Sequence, residues 1–277
     1  MSEQNYLPPY SVLMSVYSKE KASFLEEAIQ SIFLQNHPCS QFVLVCDGPL
    51  TDELDAVIQR YEERLTIVRL DHNQGLGAAL QIGLGRCENA FVLRADSDDV
   101  SVPDRAEKEI REMLANDLDI VSSDVNMFWG RKDNKTGYRA LPTKHEDIVE
   151  FAKRRCPFNH PAVAFRKSAV LKAGGYQSLP YREDWFLWVR MILADCKVGN
   201  LPEPLVYMRY NDDLLRRRKN KAAYKSSVIL FRYMREHHFI SQSRYLKNRF
   251  LFWGQKVAPV WFARLIYKKK LHNGRQQ

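Results

Sequence analysis

The sequence predicts an α/β fold in which a mostly parallel, Rossmann-like central sheet is flanked by helices and followed by a basic helical extension. Three observations predict it. Apolar runs of strand length alternate with segments of helical period, acidic and polar residues gather where those runs end, and Lys and Arg concentrate after residue 208.

The first apolar run, Tyr10-Ser-Val-Leu-Met-Ser-Val-Tyr17, lies between Pro8-Pro9 and a polar Ser-Lys-Glu, and reads as a strand buried on both faces. Phe24, Leu25, Ala28, Ile29, Ile32 and Phe33 then recur at helical spacing up to Asn36-His37-Pro38. Phe42 to Cys46 is a second strand that ends on Asp47 and Gly48-Pro49, a helix over 52–64 follows, and 66–70 is a third strand. Strand, helix, strand, helix, strand is the order of a parallel sheet with right-handed crossovers. Ligands bind such sheets outside the carboxyl ends of the strands, so Tyr17 and Asp47 should share one edge. Asp71 to Leu80 adds a loop with Gly75 and Gly77 before an apolar helix, whose free amides can approach a phosphate or ribose; a plain glycine turn into a core helix fits equally well.

The next run, Phe91-Val-Leu-Arg-Ala-Asp96-Ser-Asp-Asp99, stops on three carboxylates in four positions. Carboxylates so close repel unless something positive sits among them, and a hard divalent cation bound through oxygen is the usual solution. The plainer alternative is a solvated acidic turn, with Asp104 capping the next helix.

Composition narrows the class. The chain has 277 residues, 45% hydrophobic and 27% charged, which suits a folded globular protein. No uninterrupted apolar run reaches the ~18 residues of a membrane span, and Met1 to Pro9 lacks the basic-then-apolar pattern of a signal peptide, so a cytosolic start is expected. Cys39, Cys46, Cys87, Cys156 and Cys196 have no pairing or metal-ligand spacing and should be reduced thiols. From Arg209 onward 18 Lys and Arg face 3 acids, while the preceding residues carry a net charge of −6. A tail of that kind suits an anionic surface; no nucleic-acid motif accompanies it.

Taken in order, Ser11 to Tyr17, Val45-Cys-Asp-Gly48, Asn73-Gln-Gly-Leu-Gly-Ala-Ala79 and Arg94-Ala-Asp-Ser-Asp-Asp99 with Pro103-Asp-Arg105 resemble the family 2 glycosyltransferases of the GT-A fold, especially those of bacterial O-antigen, capsule and exopolysaccharide synthesis. The resemblance continues through Asn159-His-Pro-Ala-Val-Ala-Phe-Arg166, Gly174-Gly-Tyr176 and Glu183-Asp-Trp-Phe-Leu-Trp188 to Leu205-Val-Tyr-Met-Arg209, and fades after about residue 215. It implies a catalytic domain over 1–215, with a nucleotide-sugar half at about 10–125 and an acceptor half at about 126–215, and a basic amphipathic tail over 216–277.

The resemblance also implies roles. Val16, Tyr17, Asp47, Gly75, Arg94, Asp96, Ser97 and Asp98 would hold a UDP-sugar; Asp98, with Asp96, would bind Mn²⁺ or Mg²⁺; Asp184 would be the base of an inverting transfer; and His160, Glu183 and Trp185 would face the acceptor. Related enzymes often place a histidine metal ligand after the last strand, where this chain has Asn211-Asp212-Asp213, leaving Asp212 as a substitute oxygen donor. On local evidence alone Glu183-Asp184 would merely favour a helix N-terminus, His160 either lines an acceptor site or is a structural histidine, Arg182 either steadies a phosphate or is solvated, and Arg209 with the run Arg216-Arg-Arg-Lys219 either closes over a diphosphate or forms a solvated basic face. The acceptor implied is a sugar on undecaprenyl diphosphate at the inner face of the cell membrane. Two amphipathic helices, 222–239 and 245–270 with Pro259 dividing the second, either lie on that membrane or pack on the catalytic domain. A nucleotidyltransferase would need a glycine-rich phosphate loop after Val16, which is missing, and a non-catalytic membrane module would need neither Asp98 nor Asp184.

Overall fold

The computed structural model describes residues 7–130, 134–210 and 220–257. Its first half follows the expected alternation: β1 (Tyr10–Val16), α1 (Ala22–Phe33), β2 (Gln41–Cys46), α2 (Asp52–Gln59), β3 (Thr66–Arg69), α3 (Leu76–Arg86), β4 (Phe91–Asp96), β5 (Val100–Ser101) and α4 (Arg105–Ala115). The second half comprises β6 (Ile120–Phe128), β7 (Lys135–Arg139), α5 (His145–Ala152), β8 (Val163–Arg166), α6 (Lys167–Lys172), α7 (Glu183–Leu193), β9 (Val198–Arg209), α8 (Lys221–Glu236) and α9 (Gln242–Val257).

Strands run in the order β3-β2-β1-β4-β8-β6-β9-β5, with β7 paired to β6. The parallel pairing holds across β3, β2, β1 and β4. Beyond β4 the sheet is mixed, because β8 runs antiparallel to both β4 and β6, while β6 and β9 are parallel. Two apolar layers cover it. Leu25, Ile29 and Ile32 of α1 and Ile110 and Met113 of α4 pack with Val12 and Met14 on one face; Leu80 and Leu84 of α3 and Trp188 of α7 pack with Leu13, Val43 and Val45 on the other. The inner strands read as continuous apolar runs because both faces are buried.

Several boundaries differ from expectation. The helix read over 52–64 ends at Gln59; Tyr61 turns in beside Phe33 and a separate 3₁₀ turn, Glu62–Arg64, completes the connection. Asp104 occupies the position before α4 but makes no side-chain cap, and pairs with Lys108 instead at 2.8 Å. The first tail helix, Lys221–Glu236, lies close to its expected range, and the second begins at Gln242, while its expected course beyond Val257, with Pro259, lies outside the described residues. So do the 215/216 boundary, Asp212 and the basic run 216–219. Helix α8 packs against α7: Leu230, Phe231 and Met234 meet Trp185, Phe186 and Val189, and Arg182 Nε donates to Ser227 Oγ at 2.9 Å. No helix among the described residues is long and apolar enough to cross a membrane.

Candidate active site

Strands β1, β2 and β4 end side by side, and their ends carry the predicted donor residues. Val16 contributes only main chain there: its side chain is buried in the core, and its carbonyl accepts from Asp47 N at 2.8 Å. Tyr17 follows it, half-buried. Asp47 is itself buried and organises the glycine loop, since its Oδ1 accepts from Gln74 N at 2.7 Å and its Oδ2 from Gly75 N and Asn73 Nδ2, both at 3.0 Å. Gly48 permits this approach, because at φ +88° a Cβ would fall 2.7 Å from Asn73 N. Gly75, at φ +87°, turns the loop into α3.

At the end of β4, oxygens of Asp96, Asp98 and Asp99 lie within 4.8 Å of one another. Arg94, almost wholly buried, pairs with Asp96 Oδ1; its Nε and Nη1 have no hydrogen-bond partner. Burial pushes the Asp98 carboxyl up to about 7, helped by the neighbouring charges of Asp96 and Glu20. Asp99 is also raised well above the usual carboxylate value, by burial and then by Asp98, and its Oδ1 accepts from Arg209 N at 2.7 Å. An all-oxygen set of carboxylates that resist ionising together fits a hard divalent cation, which would relieve their repulsion. Sequence reasoning missed one neighbour, Glu20, and gave another, Arg209, as a cation that either closes over a diphosphate or is solvated. Glu20 Oε2 accepts from Ser97 Oγ at 3.2 Å, and Arg209 donates to the Asp98 carbonyl and to Glu27 while stacking over Phe24. Glu20 lies in a polar turn after β1 with no local pattern to mark it.

Glu183 and Asp184 open α7, as their placement before an apolar helical stretch implied. Glu183 packs close to α3, where Gly77 leaves room for it. Burial and then the Asp184 charge push its carboxyl up to about 7, and its Oε2 has no hydrogen-bond partner. Asp184 Oδ2 accepts from the Cys156 thiol at 3.2 Å.

Tyr176, on the segment between α6 and α7, is buried. Burial raises its hydroxyl pKa, and the charges of Asp184, Asp96 and Glu183 act on it in the same direction, against Arg94. The same hydroxyl meets His160 Nε2 at 3.1 Å. Burial, and then Arg94, hold His160 well below its ordinary value, so the ring is neutral within a cluster that includes Trp188. Trp185 departs from the expected acceptor-facing place. It is buried, its Nε1 donates to the Ala152 carbonyl at 2.9 Å, and its ring packs on Phe231 and Phe252, so it anchors the C-terminal helices. Arg182 is likewise engaged with α8.

Comparison with known proteins bears on the whole chain. The family model for glycosyl transferase family 2 matches residues 11–175. An uncharacterized glycosyltransferase of Haemophilus influenzae is 38% identical over 94% of this chain and 97% of its own length. The amylovoran biosynthesis glycosyltransferase AmsE of Erwinia amylovora is 36% identical over 94% and 98%, and the UDP-Gal:alpha-D-GlcNAc-diphosphoundecaprenol beta-1,3-galactosyltransferase of Escherichia coli is 35% identical over 95% and 96%. Among solved structures, the mannosyltransferase PcManGT of Pyrobaculum calidifontis, in complex with GDP-Man and Mn²⁺, superposes with a TM-score of 0.65 at 15% identity, covering 96% of this chain and 80% of that one. TarS 1-349 of S. aureus superposes at 0.64 with 17% identity, covering 89% and 71%. These two likenesses speak for the GT-A fold. With that fold, an acidic cluster at the end of β4, a family model that matches residues 11–175 and relatives more than 30% identical over nearly the whole chain, the chain belongs to glycosyl transferase family 2.

Proposed function

We propose that the protein is a metal-dependent inverting hexosyltransferase. It moves galactose or glucose from a UDP-sugar to a sugar carried on undecaprenyl diphosphate, in the assembly of a bacterial O-antigen, capsule or exopolysaccharide. The observation that supports this best is the cluster of Asp96, Asp98 and Asp99 oxygens within 4.8 Å of one another at the end of β4, a set of hard oxygen donors suited to a divalent cation beside a diphosphate. Relatives whose names specify a UDP-Gal donor and a diphosphoundecaprenol-linked acceptor, or amylovoran synthesis, support the substrate class.

In this reading Asp98, with Asp96, would hold Mn²⁺ or Mg²⁺, which when bound would supply stabilisation of the negative charge on a departing diphosphate. Arg94 fixes Asp96, and Asp47 with the Gln74–Gly75 amides shapes the wall that receives the nucleoside. Tyr17, Gly75 and Ser97 complete the donor side. Asp184 accepts the proton of the attacking acceptor hydroxyl; Glu183 and His160 border the space where that hydroxyl arrives. Attack opposite the leaving group inverts the anomeric centre. A lipid-linked acceptor places the enzyme at the cytoplasmic face of the inner membrane, against anionic headgroups.

The test is binding and transfer with a panel of UDP-, GDP- and dTDP-sugars, in Mn²⁺ and in EDTA. Metal-dependent selection of a UDP-sugar is expected. Asp98→Asn should lose that dependence, whereas Asp184→Asn should keep donor binding and lose roughly 10²–10⁴-fold in transfer. Failure of folded protein to bind any nucleotide sugar under either condition would overturn the catalytic reading.

A further inference from the structure

Helix α9 has two faces of opposite character. Tyr245, Asn248 and Phe252 form the inner one: Asn248 Nδ2 donates to the Lys153 carbonyl at 2.8 Å, and the Phe252 ring lies 4.9 Å from Phe231 and 6.0 Å from Trp185. Leu246, Phe250, Trp253 and Val257 recur at the spacing of a single helical stripe, rotated roughly 140° from the inner face at 3.6 residues per turn. They are 53%, 66%, 49% and 56% exposed, and the Phe250 and Trp253 rings stand 6.1 Å apart.

Cations border this stripe on both sides. Arg249 and Lys256 lie along one edge, steadied over the Tyr245 and Tyr224 rings, and Lys247 lies along the other. No acidic residue occurs between Gln242 and Val257, and only Glu236 occurs in α8. An aromatic and aliphatic stripe edged by cations alone matches an anionic bilayer surface, where rings and alkyl groups enter the acyl boundary and ammonium and guanidinium groups meet phosphates.

We propose that the Leu246, Phe250, Trp253 and Val257 stripe of α9 seats the protein on an anionic phospholipid surface. The inner face of the same helix packs on Trp185, the residue after Asp184, so one helix lies between lipid and the α7 terminus that carries the candidate base. That arrangement delivers a lipid-borne acceptor beside α7, and in this respect it rests on the function proposed above.

The full chain is sedimented with phosphatidylcholine vesicles, with and without phosphatidylglycerol, and compared with a Phe250→Ser, Trp253→Ser double variant. Wild type should bind the phosphatidylglycerol vesicles and release at high salt. The variant should keep its melting temperature and its UDP-sugar binding but partition at least ~10-fold more weakly. Equal partitioning of variant and wild type would overturn the proposal. So would a wild type that ignores vesicles and forms a dimer in solution that the variant loses, which would assign the stripe to a second copy of the chain. A wild type that needs the stripe to bind vesicles yet binds no nucleotide sugar would uphold the seat while removing the catalytic reading.

Discussion

Replacing Arg105 by methionine probes the joint beneath the acidic cluster. Arg105 and Glu109 are both fully buried; Nε bonds the two carboxylate oxygens at 3.1 and 3.2 Å, Nη1 donates to Ser101 Oγ at 3.0 Å, and Nη2 donates to the Arg94 and Val163 carbonyls at 2.8 and 3.4 Å. One guanidinium thereby ties α4 to β4, β5 and β8. Removing one partner of a buried ion pair costs about 3–5 kcal/mol, which in a chain of this size is a fall in Tm of roughly 6–20 °C. The pH dependence has a definite sign. Burial pushes Glu109 up to about 7 even though Arg105 pulls it down, so its contribution to stability is full below the ordinary 4.5 and is lost as pH rises through 7. Without Arg105 the carboxyl titrates higher still, and the deficit of the variant should widen above pH 7. Thermal unfolding followed by circular dichroism, on either side of that pH, measures both effects. Adding Glu109→Leu should recover most of the loss, because neither charge then remains to be solvated. A single variant melting within about 2 °C of wild type would refute the assignment.

Two further substitutions separate strain at the site from packing around it. Glu183→Gln should raise stability above pH 7 by about 1–3 kcal/mol while lowering turnover, because the Glu183 carboxyl titrates near 7 in the folded protein and its stabilising contribution disappears as pH rises from 4.5 through that value. Coincident melting curves of the two proteins from acid to alkaline pH would count against it. Gly83→Ala should cost about 1–3 kcal/mol, since a Cβ there would lie 2.5 Å from Leu13 Cδ1 and 2.6 Å from Val45 Cγ2. Gly85→Ala meets nothing within 4 Å and should gain up to about 1 kcal/mol, so equal denaturation midpoints for the pair would contradict the packing account.

The donor half of the fold was legible in the sequence because its inner strands are buried on both faces and their apolar runs end on the acids of the candidate site, Asp47 and Asp96 to Asp99. From β6 onward parts of the chain, above all 126–148, resisted reading for physical reasons. Strand β6 buries Ser122, Ser123 and Asp124 among its apolar residues, and Asp124 is satisfied by the Tyr138 hydroxyl and Leu141 N, partners on later elements. Strand β9 contains Pro202 and Pro204, which argue against a strand locally and are accommodated by a shift of register opposite Ser123 to Val125. Trp185 shows the same limit at the site. An aromatic beside two acids fits a sugar cleft or a core equally well, and only Phe231 and Phe252, far along the chain, decide for the core.

The hydrogen bonds of Asp47 have a consequence for any nucleoside bound against it. Its two oxygens already receive Gln74 N, Gly75 N and Asn73 Nδ2, so a donor group on a ligand must share the carboxylate with the very loop that walls the pocket. Recognition of the base and the shape of that wall are then one equilibrium. A change in Asn73 that never touches the ligand should weaken binding much as a change in Asp47 does, and a bound nucleoside should in return protect the Gln74 and Gly75 amides from exchange.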